Sequence, residues 1–360
     1  MNKKKLDWLE KIDKTYPKAI YLVAGGVWFV VGALPYFGYS EPFKGEVGVQ
    51  NFIILILSMM LLAITTCIVI YFVKKDRNDI DATIKKANKM LAEGRNKDIL
   101  VLRKKENWSR SLWVEGKPYA RLELGEIAKK AAINELDPKN LAEIYIDDLG
   151  WTYVSVERYK DAKETLEHGL QCAGKIQNND DKNYWCAKAK RHLAGIEIEK
   201  AEYNEAEVLM NEAIQFANNI MEQQRKNEML AGIYYGQSLR FLKDNKNKQN
   251  IETALSYAEQ SENLRVNGEL SRFVKIYSLK GNIYEAKNDM INAEEQYRNG
   301  LRISKDLKRT DEIIRNLLGL ARVVESEKEK QQHIKNANNL LKKTPVPFRI
   351  DEREMKLIKL

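Results

Sequence analysis

Three stretches of this chain repeat one arrangement of small and large side chains: LGWTYVSVERYKDAKETLEHGL (149–170), LAGIEIEKAEYNEAEVLMNEAI (193–214) and LKGNIYEAKNDMINAEEQYRNGL (279–301). Each carries a small residue, an alanine twelve positions later, a large residue four further on, a small one three beyond it and an aliphatic next. The sets are Gly150, Ala162, Leu166, Gly169 and Leu170; Ala194, Ala206, Met210, Ala213 and Ile214; and Gly281, Ala293, Tyr297, Gly300 and Leu301. Tyr153 and Tyr284 stand three after the first small residue, where the middle stretch has Glu197. Only 7 prolines interrupt the chain, which leaves long runs rich in Ala, Glu, Lys, Leu, Ile, Asn and Tyr. That composition reads as all-α.

The pattern resembles the tetratricopeptide repeat family, whose unit is a helix–turn–helix of about 34 residues. Gly150 and Ala162 are expected where the two antiparallel helices of a unit cross, since a larger side chain would hold them apart. Tyr153 and Leu166 would fill the space on either side. Gly169 would let the next unit's first helix approach. Tyr159, Tyr203 and Met290 fall in the turn region. The resemblance implies a right-handed α-solenoid over 143–344, with five units at about 143–176, 187–220, 229–268, 274–307 and 312–344. Unit three (Tyr235, Gly236, Ala254) needs an insertion within FLKDNKNKQN, and unit five (Leu318, Gly319) lacks the second alanine. Extra residues around QNNDDKN separate units one and two. Residues 74–142 read as a helical connector with a degenerate repeat at 117–138, and 345–360 as a capping helix, which a repeat array needs at its open end.

The N-terminal part has a different pattern. Residues 19–40 and 52–73 form two uncharged runs of 22 residues each, and about 20 apolar residues span a bilayer core. Lysines and arginines crowd the leader at 1–18 and the segment after 73, whereas the loop between the runs has only Lys44. The positive-inside rule then predicts a two-helix transmembrane hairpin with both termini cytoplasmic, and a bacterial inner membrane is the expected location. Gly25 with Gly32, and Ser58 with Thr65, would each share a helix face suited to close packing, and so to a homo-oligomer.

Charge excludes one class of partner. The net charge is +9, but residues 101–360 hold 45 Lys/Arg against 41 Asp/Glu with the signs interspersed. No basic stripe suited to nucleic acid stands out. Cys67, Cys172 and Cys186 are not at a disulfide-framework spacing, which fits a reducing compartment. No phosphate-binding, dinucleotide, zinc-protease or serine-hydrolase motif occurs, so neither an enzyme nor a cofactor is expected. One cluster has metal-ligand chemistry: His168 and Cys172 on the second helix of unit one could face Cys186 and His192 on the first helix of unit two.

By resemblance, partners bind along the first helices of the units. That face would carry Trp151, Lys188, Arg191, Tyr234, Gln237, Arg240, Lys275 and Asn282, with Trp151, Arg191 and Arg240 as anchors, since Trp, Tyr and Arg dominate interface energetics. The family's Lys/Asn clamp for a terminal carboxylate is absent, because Asp147 and Trp151 stand in its place. The expected function is a membrane-anchored scaffold for a protein or peptide partner. The alternative is a sensor–effector whose hairpins assemble and perturb the membrane.

Overall fold

A computed structural model describes residues 80–114, 116–244, 247–264 and 274–343. The chain divides into two compact units, Met1–Lys85 and Lys86–Leu360. The leader, the runs at 19–40 and 52–73 with Gly25, Gly32, Ser58 and Thr65, and the segment 345–360 lie outside the described residues. The membrane location read from the sequence is corrected: among the described residues, no helix is long and apolar enough to cross a membrane, and no hairpin of spans is supported.

The second unit, from residue 96 onward, is helical without a strand among its described residues. Three helices lead in: α1 (Asn96–Lys105), α2 (Trp108–Val114) and α3 (Pro118–Asn134). Five helix pairs follow. The first pair opens with a rod made of α4 (Pro138–Glu143), a π-helical segment (Ile144–Gly150) and α5 (Trp151–Ser155), and closes with α6 (Tyr159–Gly174). The others are α7 (Asn179–Glu199) with α8 (Tyr203–Asn218), α9 (Gln223–Lys243) with α10 (Lys248–Asn263), α11 (Val274–Ala286) with α12 (Met290–Asp306), and α13 (Thr310–Val323) with α14 (Glu327–Lys343). Each helix packs on its sequence neighbours, and first helices also meet the next first helix, as α7 meets α9 and α11 meets α13. This is a stacked array of helix pairs. Tyr159, Tyr203 and Met290 each open the second helix of a pair.

The inserted segments become helix starts. Asn178 caps α7 by accepting from the Asp181 amide at 3.0 Å, so most of QNNDDKN forms the first turns of a 21-residue helix. Asn247 caps α10 in the same way through the Asn250 amide at 2.9 Å. Such caps contribute about 1 kcal/mol each by answering amides that the helix cannot. The first helix α7 therefore begins at Asn179, earlier than the repeat spacing predicts.

Close approach of the helices is set by glycines facing large side chains. A methyl on Gly150 would overlap Leu166, and one on Gly169 would overlap Ile146. Gly169 thus faces its own unit's first helix, not the next unit's as expected. Tyr297 of α12 is 1% exposed and lies between Gly281 of α11 and Gly319 of α13; a methyl on either would overlap its ring. Its hydroxyl donates within a polar knot, to Asn282 at 2.7 Å or Glu285 at 3.0 Å, and Arg322 donates to both of those acceptors. Burial first, with Glu285 adding to it, raises the Tyr297 pKa, so the phenol stays protonated. Gly319→Ala is expected to destabilise by about 1–3 kcal/mol through overpacking. The penalty should shrink when Tyr297→Leu is also present; equal penalties in both backgrounds, read by denaturant unfolding, would refute the contact.

The turns inside the pairs share a second device. Glu157, Ala201 and Asn288 adopt positive φ of 60°, 61° and 62° at the ends of first helices. The next amide then reaches back, as Glu202 does to the Glu197 carbonyl at 2.9 Å, while the Ala201 amide bonds Ile198 at 3.1 Å. This is the Schellman closure, which favours glycine because other side chains are strained there. Exposed Ala201 forfeits that advantage. Ala201→Gly is expected to stabilise by up to about 1 kcal/mol, seen as a higher Tm; a lower Tm would contradict the assignment.

Candidate functional site

The first helices bring Trp151, Lys188, Arg191 and Lys275 together. Trp151 leaves the π segment and its ring centroid lies 4.8 Å from that of His192 on α7. On another side Trp113 of α2 lies 5.8 Å away, and Lys275 of α11 places its Nζ 5.9 Å from the Trp151 centroid. Lys188 pairs with Asp147 at 2.6 Å and also lies over the rings of Trp185 and Tyr184. Arg191 crosses to α9, where its guanidinium occupies the place a side chain at Gly232 would take. Trp151, Lys188, Arg191 and Lys275 are all half-buried. One patch therefore draws on the first, second and fourth pairs and on α2.

The π segment positions this patch. Its wider turn is closed by the Trp151 amide reaching Ile146, and Thr152 Oγ1 donates to the Asp148 carbonyl at 2.5 Å. π turns of this kind recur at functional sites. Asp147 and Asp148 point to different partners. Asp147 takes Lys188, while buried Asp148 takes Arg103 of α1 at 2.5 Å. Arg103 also donates to Glu143 at 3.0 Å. Burial opposes the Arg103 charge, but Asp148 and Glu143 outweigh it and raise its pKa. This pair ties the lead-in helices to the first repeat.

The remaining sequence candidates are placed elsewhere. Tyr234 stacks toward Tyr257 of α10, with centroids 5.8 Å apart. Gln237 and Arg240 are 2% and 4% exposed, and Arg240 donates to Gln237 at 3.0 Å and to Glu207 at 3.3 Å. Asn282 belongs to the Tyr297 knot. The metal candidates do not assemble: His168 lies against Tyr145, His192 against Trp151. Among the described residues, no group of three or more His, Cys, Asp or Glu side chains is placed to hold a metal. Burial raises the pKa of both Cys172 and Cys186.

Sequence reasoning missed Trp113, and it missed Arg121 of α3. Arg121 is 4% exposed, its Nη2 donates to Ser109 at 2.6 Å, and its guanidinium lies 5.6 Å from the Trp113 centroid. The available signal was a lone cation in YARLELGEIA, a stretch whose neighbours Leu122 and Leu124 are buried. Burial holds the Arg121 pKa down, against Asp148 and Asp147. Lys275 is lowered by burial as well, only partly offset by Glu312.

Burial first, then Arg191, Lys188, Arg121 and Lys275, hold His192 well below its ordinary pKa of 6.5. The folded protein keeps it neutral, while the unfolded chain takes up a proton as pH falls through about 6.5. Its contribution to stability is complete above that pH and declines below it, at a rate of up to about 1.4 kcal/mol per pH unit. His192→Gln should therefore lose less stability than the wild type between pH 7 and pH 5 in denaturant unfolding. An identical loss would show that His192 does not titrate as described.

No family model matches the sequence, and no curated protein matches it. Among solved structures, the chain is similar to BtubC (BKLC) from P. vanneervenii, with 18% identity over 64% of this chain and 92% of that one, at a TM-score of 0.44. It is also similar to Nro1, a hypoxic regulator of sterol synthesis described as a nuclear import adaptor, with 12% identity over 79% of this chain and 99% of that one, at a TM-score of 0.35. Likenesses this distant carry no information about what the chain binds.

Proposed function

We propose that the chain is a tetratricopeptide-type adaptor that holds a protein or peptide partner on the face of its first helices. The observation behind this reading is the convergence of half-buried Trp151, Lys188, Arg191 and Lys275 from three separate pairs. An aromatic ring flanked by arginine and lysine, partly shielded yet reachable, is the usual chemistry of an interface anchor. Glycines facing large side chains at the helix crossings support the family assignment. The reading gives the chain no catalytic step: it acts by holding two molecules together, which raises their effective concentration. Because Arg240, Gln237 and Asn282 are engaged within the array, the contact should centre on Trp151 and Arg191.

The test is capture by the full chain, followed by reconstitution of the complex from purified components. Trp151→Ala and Arg191→Ala are each expected to weaken the complex by about 2 kcal/mol, while Lys305→Ala on exposed α12 surface leaves it unchanged. Recovery of the chain alone as a defined oligomer, or a complex indifferent to both substitutions, would overturn the proposal.

A further inference from the structure

Lys275 is a cation for which the described part of the chain supplies no counter-ion. It follows Val274 at the start of α11 and is half-buried. Its Nζ lies 5.9 Å from the Trp151 centroid, and among the described residues no carboxylate forms an ion pair with it. The carboxylates that act on it are Glu312 and Asp311 of α13, and both are committed elsewhere. Asp311 takes Arg309 at 2.8 Å. Glu312 is fully buried, with Oε2 accepting from Ser278 at 3.3 Å and Oε1 lying 3.8 Å from Arg315. A half-buried ammonium loses part of its hydration, and a paired carboxylate is the usual compensation. Unlike Arg121 Nε and Nη1 and His192 Nε2, which are sealed within the array, the Lys275 amine reaches solvent.

The surroundings of this amine carry positive charge on two sides. Toward α7, Arg191 and Lys188 act on His192 together with Lys275, and Asp147 is already paired with Lys188 at 2.6 Å. Toward α13, Arg315 and Arg309 act on Lys275. Burial would raise the Asp311 pKa, but Arg309, Lys275 and Arg315 bring it down below its ordinary value. Lys188, Arg191, Lys275, Arg309 and Arg315 are all half-buried, as is the Trp151 ring. Asp147 and Asp311 answer one cation each and leave Lys275 unanswered. A segment of negative charge is drawn to such a face, and a basic one is repelled.

We infer that the partner segment on the first-helix face carries an Asp or Glu side chain that pairs with Lys275, beside an apolar or aromatic side chain that packs on Trp151. The inference rests on the adaptor reading and names the chemistry of its partner. The amine and the ring are close enough for one short segment to meet both. Lysine is a compact point charge on a flexible stem, so a single carboxylate satisfies it without the fork geometry that arginine demands. The incoming carboxylate also restores what burial takes from the Lys275 charge. Because the two groups come from the first and fourth pairs, a segment that engages both lies across the array and not along one helix.

A random peptide library, displayed inside a fusion so that no peptide has a free carboxyl terminus, is selected on the full chain. Peptides that are enriched on the wild type and lost on Trp151→Ala are expected to carry Asp or Glu next to Trp, Phe or Leu. Selection on Lys275→Glu is expected to exchange that acidic residue for Lys or Arg, while Lys275→Arg keeps the preference. For one selected peptide made synthetically, changing the acidic residue to its amide should weaken binding to the wild type at least about tenfold. The same change should have no effect on binding to Lys275→Met. Lys275→Met removes a charge that has no ion pair, so it is expected to fold with an undiminished Tm. Trp151-dependent peptides without an acidic residue, or an unchanged preference on Lys275→Glu, would overturn this inference and leave the adaptor reading intact. If no Trp151-dependent peptide is enriched, the adaptor reading fails and this inference falls with it.

Discussion

Helix backbones in this array approach as closely as they do because a glycine on one helix meets a large side chain on another. Gly150 admits Leu166, Gly169 admits Ile146, and Tyr297 is held between Gly281 and Gly319. Alanines complete the surfaces, with Ala162, Ala206, Ala213 and Ala293 fully buried. Dispersion contacts fall off steeply with distance, so a gap of even a methyl at these crossings would forfeit much of the packing energy. Everything further from the axis depends on this fit. First helices can lie side by side only when each second helix sits close behind them, and the patch around Trp151 is assembled from those first helices.

Polar groups buried in the array serve two different ends. Around Tyr297, Arg322 and the phenol answer Asn282 and Glu285 across three helices. Such a network specifies one arrangement of helices, since any slip would leave charges without partners. Around Trp151 the account does not close. Burial depresses the pKa of Arg121, His192 and Lys275 together.

The helix pairs were legible because their signal is local: three- and four-residue steps of small and large side chains, with no proline to interrupt them. Second helices begin where the tyrosines and Met290 pointed. What the sequence hid was nonlocal. Most of the insertion around QNNDDKN joins a helix that Asn178 caps, and a capping asparagine looks like any loop asparagine until the amide it bonds is known. Gln237, Arg240 and Asn282 sit at face positions by spacing, but Glu207, Tyr297 and Arg322 reach them from neighbouring helices. The π segment gave no signal at all, and it decides that Asp147 and Asp148 serve different cations. Lys275 and Trp151 are far apart in sequence, so no periodicity could announce their contact.

That contact changes how the array holds together as a whole. In a stack where each pair touches only the next, loosening can begin at either end and spread one pair at a time. Lys275 reaching the Trp151 ring joins the fourth pair to the first across the interior. With the neighbours packed in between, it turns part of an open ladder into a loop. Fraying inside a loop must break two boundaries instead of one, so this contact couples the first four pairs more closely than neighbour packing alone, with the lead-in helices and the fifth pair outside the loop.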